Sequence, residues 1–152
     1  MTYQRNKFFE AFVALQAGLE GLTAGLNMGK ILIIDDDAFD SSIIERSLRA
    51  VSDDSQIEVV NDSREAATRF AQFEPDLTLL DVSMPRLDGF DVLEQISATA
   101  RSANKSVVML TGSTNPVDRN KAMHLGARDY KVKPSSVLDY QDLAEDLVNA
   151  YV

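Results

Sequence analysis

The sequence predicts an α/β fold: a doubly wound, five-stranded, mostly parallel sheet with helices on both faces. Two observations carry this. From Lys30 onward, short apolar runs alternate with stretches of helical periodicity, the pattern of repeated strand–helix units. The runs are also apolar at nearly every position, as strands covered on both faces require.

Ile31-Leu32-Ile33-Ile34 is the first strand. Phe39, Ile43, Ile44, Leu48 and Val51 follow at helical spacing. Ile57 to Val60 is the second strand, and Ala66, Ala67, Phe70 and Phe73 mark a second helix closed by Pro75. Leu77 to Leu80 is the third strand. Asp88 stands at the N-cap of a helix carrying Phe90, Val92, Leu93 and Ile96. Val107 to Leu110 is the fourth strand. Val117, Met123 and Leu125 belong to a fourth helix that Gly126 can end. Tyr130-Lys131-Val132 is a short fifth strand, and the last helix spans Leu138 to Val148.

Residues 1–27 differ. Phe8, Phe9, Phe12, Leu15, Leu19, Leu22 and Leu26 form a helical stripe, weakened by Gly18, Gly21 and Gly25. Met28-Gly29-Lys30 leads straight into the first strand. The expected organisation is therefore an N-terminal appendage, 1–27, with helical periodicity, and one domain, 28–152. Arg5 and Lys7 resemble the start of a signal peptide, but Glu10, Gln16 and Glu20 interrupt the apolar run.

Composition narrows the chemistry. With no cysteine and only His124 as histidine, the chain has no disulfide, thiol nucleophile or His-rich metal site. A net charge of −9 opposes a nucleic-acid surface. No apolar stretch reaches the roughly 18 residues of a membrane span. A cytoplasmic location is expected.

In a parallel sheet, chemistry collects beyond the carboxyl ends of the strands. Asp35, Asp36 and Asp37 stand there after the first strand, Asp81 after the third, Thr111 after the fourth, and Lys133 after the fifth, followed by Pro134. Carboxylates about 4 Å apart repel by about 4 kcal/mol at an effective dielectric near 20. Such a pocket needs a cation or takes up protons. Hard oxygen ligands favour Mg²⁺. A carboxylate nucleophile, a divalent metal, a hydroxyl and a lysine together fit phosphoryl transfer. Taken singly, the acids could be a solvated helix start, Thr111 a strand-end cap and His124 a surface residue. Asp88-Gly89 reads as turn chemistry.

The segments ILIIDDDAFD, DLTLLDVSMPRLDGFDVLE, VVMLTGS and GARDYKVKP resemble, in order, the signature blocks of the receiver domain of two-component response regulators, over about residues 30–150. The resemblance implies the flavodoxin-like strand order 2-1-3-4-5 and a cis peptide before Pro134. It implies that Asp81 accepts a phosphoryl group, and that Asp35, Asp36, Asp81 and the Ser83 carbonyl hold Mg²⁺. Thr111 and Lys133 would meet the phosphoryl group. Thr111 would then shift and Tyr130 turn inward, reshaping the surface of the fourth helix, fifth strand and fifth helix. The implied partners are a histidine kinase or histidine phosphotransfer protein and a separate downstream target protein, with no nucleic acid and no membrane. No C-terminal output domain is expected beyond the last helix, and a homodimer is open.

The sequence departs from the family pattern at Gly112, Ser83, Ser113, Ser63, Ser135 and Lys131, none of which removes a catalytic group. Haloacid-dehalogenase phosphatases compete as a reading, because Asp35, Asp37, Thr111 and Lys133 imitate their order. They lack a use for LLDVSMPRLDG, and they expect a later strand-end acidic pair where Asp142, Glu145 and Asp146 lie in a helix. A pseudo-receiver scaffold is opposed by the intact acid, threonine and lysine set.

Overall fold

Strand β1 (Lys30–Ile34) sits inside a sheet of order β2-β1-β3-β4-β5, with β2 (Gln56–Val60), β3 (Leu77–Leu80), β4 (Ser106–Thr111) and β5 (Asp129–Val132). Every pairing is parallel. The computed structural model describes Glu10 and residues 28–152. The expected appendage, 1–27, otherwise lies outside the described residues.

The helices are α1 (Ala38–Val51), α2 (Ala66–Phe73), α3 (Gly89–Ser102), α4 (Pro116–His124) and α5 (Val137–Tyr151). Side chains alternate across a strand, so each apolar run feeds two cores. Ile31, Ile33, Leu77, Leu79, Val108 and Leu110 pack with Ile44 and Leu48 of α1 and Ala144, Leu147 and Val148 of α5. On the opposite face, Leu32, Ile34, Leu80, Val107 and Met109 pack with Phe70 of α2, Phe90, Leu93 and Ile96 of α3 and Ala122 of α4. That division explains why the central strands are apolar at consecutive positions.

Helix starts are written into the sequence. Asp37 caps α1, Asn115 caps α4 ahead of Pro116, and Ser136 caps α5. Asp88 and Asp91 form a reciprocal capping box at α3. Helix α2 follows a 3₁₀ turn at Ser63–Glu65 that Asp62 caps. Gly126, at φ +107°, takes the left-handed position just after the α4 cap.

Two expectations are corrected. The peptide before Pro134 is trans, since no cis bond occurs among the described residues. Trans is the lower-energy isomer before proline by about 0.5–1 kcal/mol, and Lys133 meets its partners from that geometry. Periodicity also placed Phe39, Val117 and Leu138 on apolar stripes, yet they are 72%, 66% and 72% exposed. All three lie in the first turn of a helix.

Candidate active site

The site residues continue the hydrogen-bond ladder of the sheet by one step. Asp35 N–H donates to the Val60 carbonyl (3.1 Å), Asp81 N–H to the Ile34 carbonyl (3.0 Å) and Lys133 N–H to the Thr111 carbonyl (2.7 Å). These residues are thereby held at the rim by backbone hydrogen bonds.

Asp35, Asp36 and Asp81 each bring a carboxylate oxygen within 4.8 Å of the others. Asp35 and Asp81 are buried and Asp36 is exposed. Lys133 Nζ lies 2.7 Å from Asp35 Oδ2, 2.9 Å from Asp40 Oδ2 and 3.3 Å from Asp81 Oδ2. Burial pushes the Asp35 carboxyl up to about 6, with the Asp81 charge adding to the rise. Hydrogen bonds from Lys133 and from the Asp37 N–H hold it back. Burial works against the Lys133 charge, but the hydrogen bonds with Asp35 and Asp40 and the charges of Asp35 and Asp81 prevail and raise its pKa. A buried acid group pushed toward neutrality beside two further acids suits a divalent cation in its donor set.

The three leading acids divide their work. Asp35 and Asp36 face the pocket. Asp37 accepts from the N–H groups of Phe39 (2.9 Å) and Asp40 (3.0 Å) and belongs to the helix start. The phosphatase reading loses one of its catalytic acids there.

Thr111 is the last residue of β4 and 1% exposed. Its register partner on β5 is Val132, the residue before Lys133. It bonds none of the carboxylates; its Oγ1 accepts from the Ser113 N–H at 3.3 Å. Tyr130 is 4% exposed, and its hydroxyl donates to the Ser113 carbonyl at 2.9 Å. In this structure the Tyr130 ring already lies inside the core. Ser83 stands exposed on the loop after Asp81. A Cβ added at Gly112 meets nothing within 4 Å, so that side of the pocket is open. A Cβ at Gly89 would collide with the Asp81 carbonyl oxygen. Gly89 is therefore part of what positions the acid, beyond its turn chemistry.

Sequence reasoning missed three contributors. Asp40 reads as an ordinary acid in a first helical turn, yet it bonds Lys133. Asn61 Nδ2 donates to the Asp35 carbonyl at 2.7 Å and to Ser41 Oγ at 3.2 Å, tying the end of β2 to the β1–α1 loop. Ser63 is buried against the loop that follows Asp81. The capped helix start at Asp37 was the one available signal, because it directs the first turn of α1 toward the rim.

A family model described as the response regulator receiver domain matches residues 31–145. The chain belongs to that family. A probable transcriptional regulator of Guillardia theta is 36% identical to this receiver domain over 107 residues, 70% of this chain and 40% of the relative. A protein-glutamate methylesterase/protein-glutamine glutaminase of Methanospirillum hungatei is 32% identical over 123 residues, 79% of this chain and 35% of the relative. The chain thus spans less than half the length of these curated relatives. Among solved structures, the phosphorylated cyanobacterial phytochrome response regulator RcpA superposes with a TM-score of 0.73 at 25% identity, covering 81% of this chain and 93% of that one. The Mn²⁺-bound form of response regulator Rcp1 gives 0.68 at 27%, covering 80% and 93%. The strand order 2-1-3-4-5 of the receiver fold is the observed one.

Proposed function

We propose that Asp81 accepts a phosphoryl group from the phosphohistidine of a histidine kinase or histidine phosphotransfer protein. The phosphorylated domain then signals by binding a separate target protein. One observation carries the reading: Lys133 Nζ touches both Asp81 and Asp35, beside three carboxylates gathered within 4.8 Å at the sheet rim.

An Asp81 carboxylate oxygen attacks phosphorus, the donor's N–P bond breaks, and its electron pair stays on the imidazole nitrogen. An acyl phosphate forms on Asp81. Lys133 is placed to meet the oxygens of the transferred group. Thr111 retains a hydroxyl proton that bonds no acceptor among the described residues, and it is free to donate to the same oxygens. Asp35, Asp36, Asp81 and the Ser83 carbonyl would hold Mg²⁺. Bound there, the ion supplies charge neutralisation to the carboxylates and to the incoming phosphoryl oxygens. The domain promotes its own phosphorylation and dephosphorylation in this way, without turning over a separate substrate.

Residues 28–152 form the receiver unit, and 1–27 are an appendage to it. Among the described residues no helix is long and apolar enough to cross a membrane. A cytoplasmic location fits an acceptor served by a kinase, and the net charge of −9 fits a protein target rather than nucleic acid.

The test is incubation with acetyl phosphate, with and without Mg²⁺. An acid-labile adduct is expected only with the metal and is absent from Asp81→Asn. Asp36→Ala is expected to keep the fold and weaken Mg²⁺ binding. An undiminished adduct in Asp81→Asn overturns the assignment.

A further inference from the structure

The loop between β3 and α3 carries Asp81 at its start and Gly89 at its end, and something must hold its shape. One closure is local: Gly89 N–H donates to the Val82 carbonyl at 2.8 Å, with Gly89 packed against the Asp81 carbonyl. The middle of the loop has a harder task. Arg86 sits at φ 69°, a left-handed conformation that costs energy for any residue with a Cβ.

Ser63 supplies the second closure from the other side of the chain. Its side chain is almost wholly buried, 3% exposed. Oγ donates to the Pro85 carbonyl at 3.0 Å and accepts from the Leu87 N–H at 3.2 Å. These are the two neighbours of Arg86. One hydroxyl thus uses its proton and a lone pair to fix both residues flanking the strained one. Glycine or alanine at this position could do neither. Ser63 is itself anchored, because it opens the 3₁₀ turn capped by Asp62 and its carbonyl accepts from Ala66 N–H.

We propose that Ser63 is a positioning residue for phosphoryl transfer: its hydroxyl clasps residues 85–87 and so holds the loop that presents Asp81 and the Ser83 carbonyl. Ser63 touches neither of those groups and acts through the loop. The inference rests on the reading of Asp81 as acceptor.

The experiment compares the unaltered protein, Ser63→Ala, Arg86→Gly and the double variant. It reads the rate of Asp81 phosphorylation by acetyl phosphate at saturating Mg²⁺, well below the unfolding temperature. Loss of two hydrogen bonds is expected to slow Ser63→Ala by about five- to tenfold. The Leu87 amide should lose its exchange protection, while amides of β1 and β4 keep theirs. Glycine adopts the left-handed conformation freely, so Arg86→Gly in the double variant should recover most of the rate. A purely structural serine would shift the unfolding midpoint, leave the rate within twofold and show no rescue. That outcome overturns the proposal. If Ser63→Ala does not fold, amide exchange in the unaltered protein decides: a Leu87 amide exchanging as fast as a solvated loop overturns the clasp. Failure of the acceptor reading would show separately, as no acid-labile adduct on the unaltered protein.

Discussion

Lys133 Nζ lies 2.9 Å from Asp40 Oδ2, joining the end of β5 to the first turn of α1 across 93 residues. If Asp81 is the acceptor, Asp40 competes for the lysine that a phosphoryl group there would need, and its own charge would repel that group. The carboxylate is about one-third exposed, which limits the effect to about 1 kcal/mol. Asp40→Asn is expected to bind beryllofluoride, a phosphoryl mimic, about fivefold more tightly, a ratio matching that energy. Equal affinities in titration would remove Asp40 from the site's energetics.

Asp35 sets a pH dependence. Its carboxyl is raised from 3.8 to about 6 in the folded protein, chiefly by burial. Between those values the folded state binds more protons than the unfolded one, so this group's contribution to stability is full below the unfolded value and is lost as pH rises through about 6. Asp35→Asn imitates the protonated form. With a chelator present, the variant and the parent are expected to unfold at similar temperatures near pH 4. The variant should gain the advantage as pH rises, with the gap levelling off above about 6. A gap independent of pH would show that Asp35 is not the titrating group. Because metal needs the ionised acid, Mg²⁺ affinity should fall as pH drops below the same point, with proton release on binding.

The strands were legible because nearly every core-facing position of the central strands is apolar on both faces of the sheet, and the candidate site because Asp35, Asp81, Thr111 and Lys133 each stand at or just past a strand end. What escaped was a matter of direction. Asp37 and Asp40 carry the same side chain three residues apart, but one turns back to cap α1 and the other reaches Lys133. No periodicity separates those choices. Ser63 was visible only as a departure from glycine, because its partners lie 22 and 24 residues away. Phe39 and Leu138 obeyed the helical repeat, yet they stand exposed in the first turns of α1 and α5.

Thr78 is a mismatch inside the core. It is fully buried in β3, and its hydroxyl finds no hydrogen-bond partner among the described residues. Leaving such a group unpaired costs about 1–3 kcal/mol, while valine has nearly the same shape. Thr78→Val is expected to stabilise the domain by about 1 kcal/mol in urea unfolding, with Asp81 phosphorylation unchanged. A loss of stability would mean that the hydroxyl is satisfied in solution.

The described domain closes on itself at its first residues. A Cβ at Gly29 would strike Val152 Cγ1, so the segment leading into β1 is packed against the end of α5. Gly29 also accepts from the Gln56 N–H at 2.8 Å. A chain beginning at Met28 is therefore expected to fold, with a urea midpoint close to that of the full chain and a similar rate of phosphorylation. Loss of folding would place residues 1–27 in the core. A changed oligomeric state alone would assign them to a contact between copies.

Ser113 is where a phosphoryl signal would leave the pocket. Its N–H donates to Thr111 Oγ1 (3.3 Å), its carbonyl accepts from the Tyr130 hydroxyl (2.9 Å), and its Oγ donates to Asp118 Oδ2 on α4 (2.6 Å). Thr111 can keep the Ser113 bond as acceptor while donating its proton to a phosphoryl oxygen, because a hydroxyl does both. Any shift of Thr111 toward Asp81 then pulls on Ser113, and through it on Tyr130 and α4. With Tyr130 already inside, the movement to expect is in the loop and α4 rather than a swing of the ring. A hydrogen bond to a charged group is worth roughly 1.5–3 kcal/mol, against about 5.5 kcal/mol for moving a population from 1:99 to 99:1. On the proposed reading Thr111 would supply part of such a switch, and Lys133 would have to supply more. Beryllofluoride is expected to move the amide resonances of residues 113–119 in the parent. The changes should be several-fold smaller in Thr111→Ala, although that protein still takes up phosphate on Asp81. In Tyr130→Phe the changes should persist at Ser113 and Asp118. Equal changes in the parent and Thr111→Ala would mean that the signal leaves by another route, through Lys133 and α1.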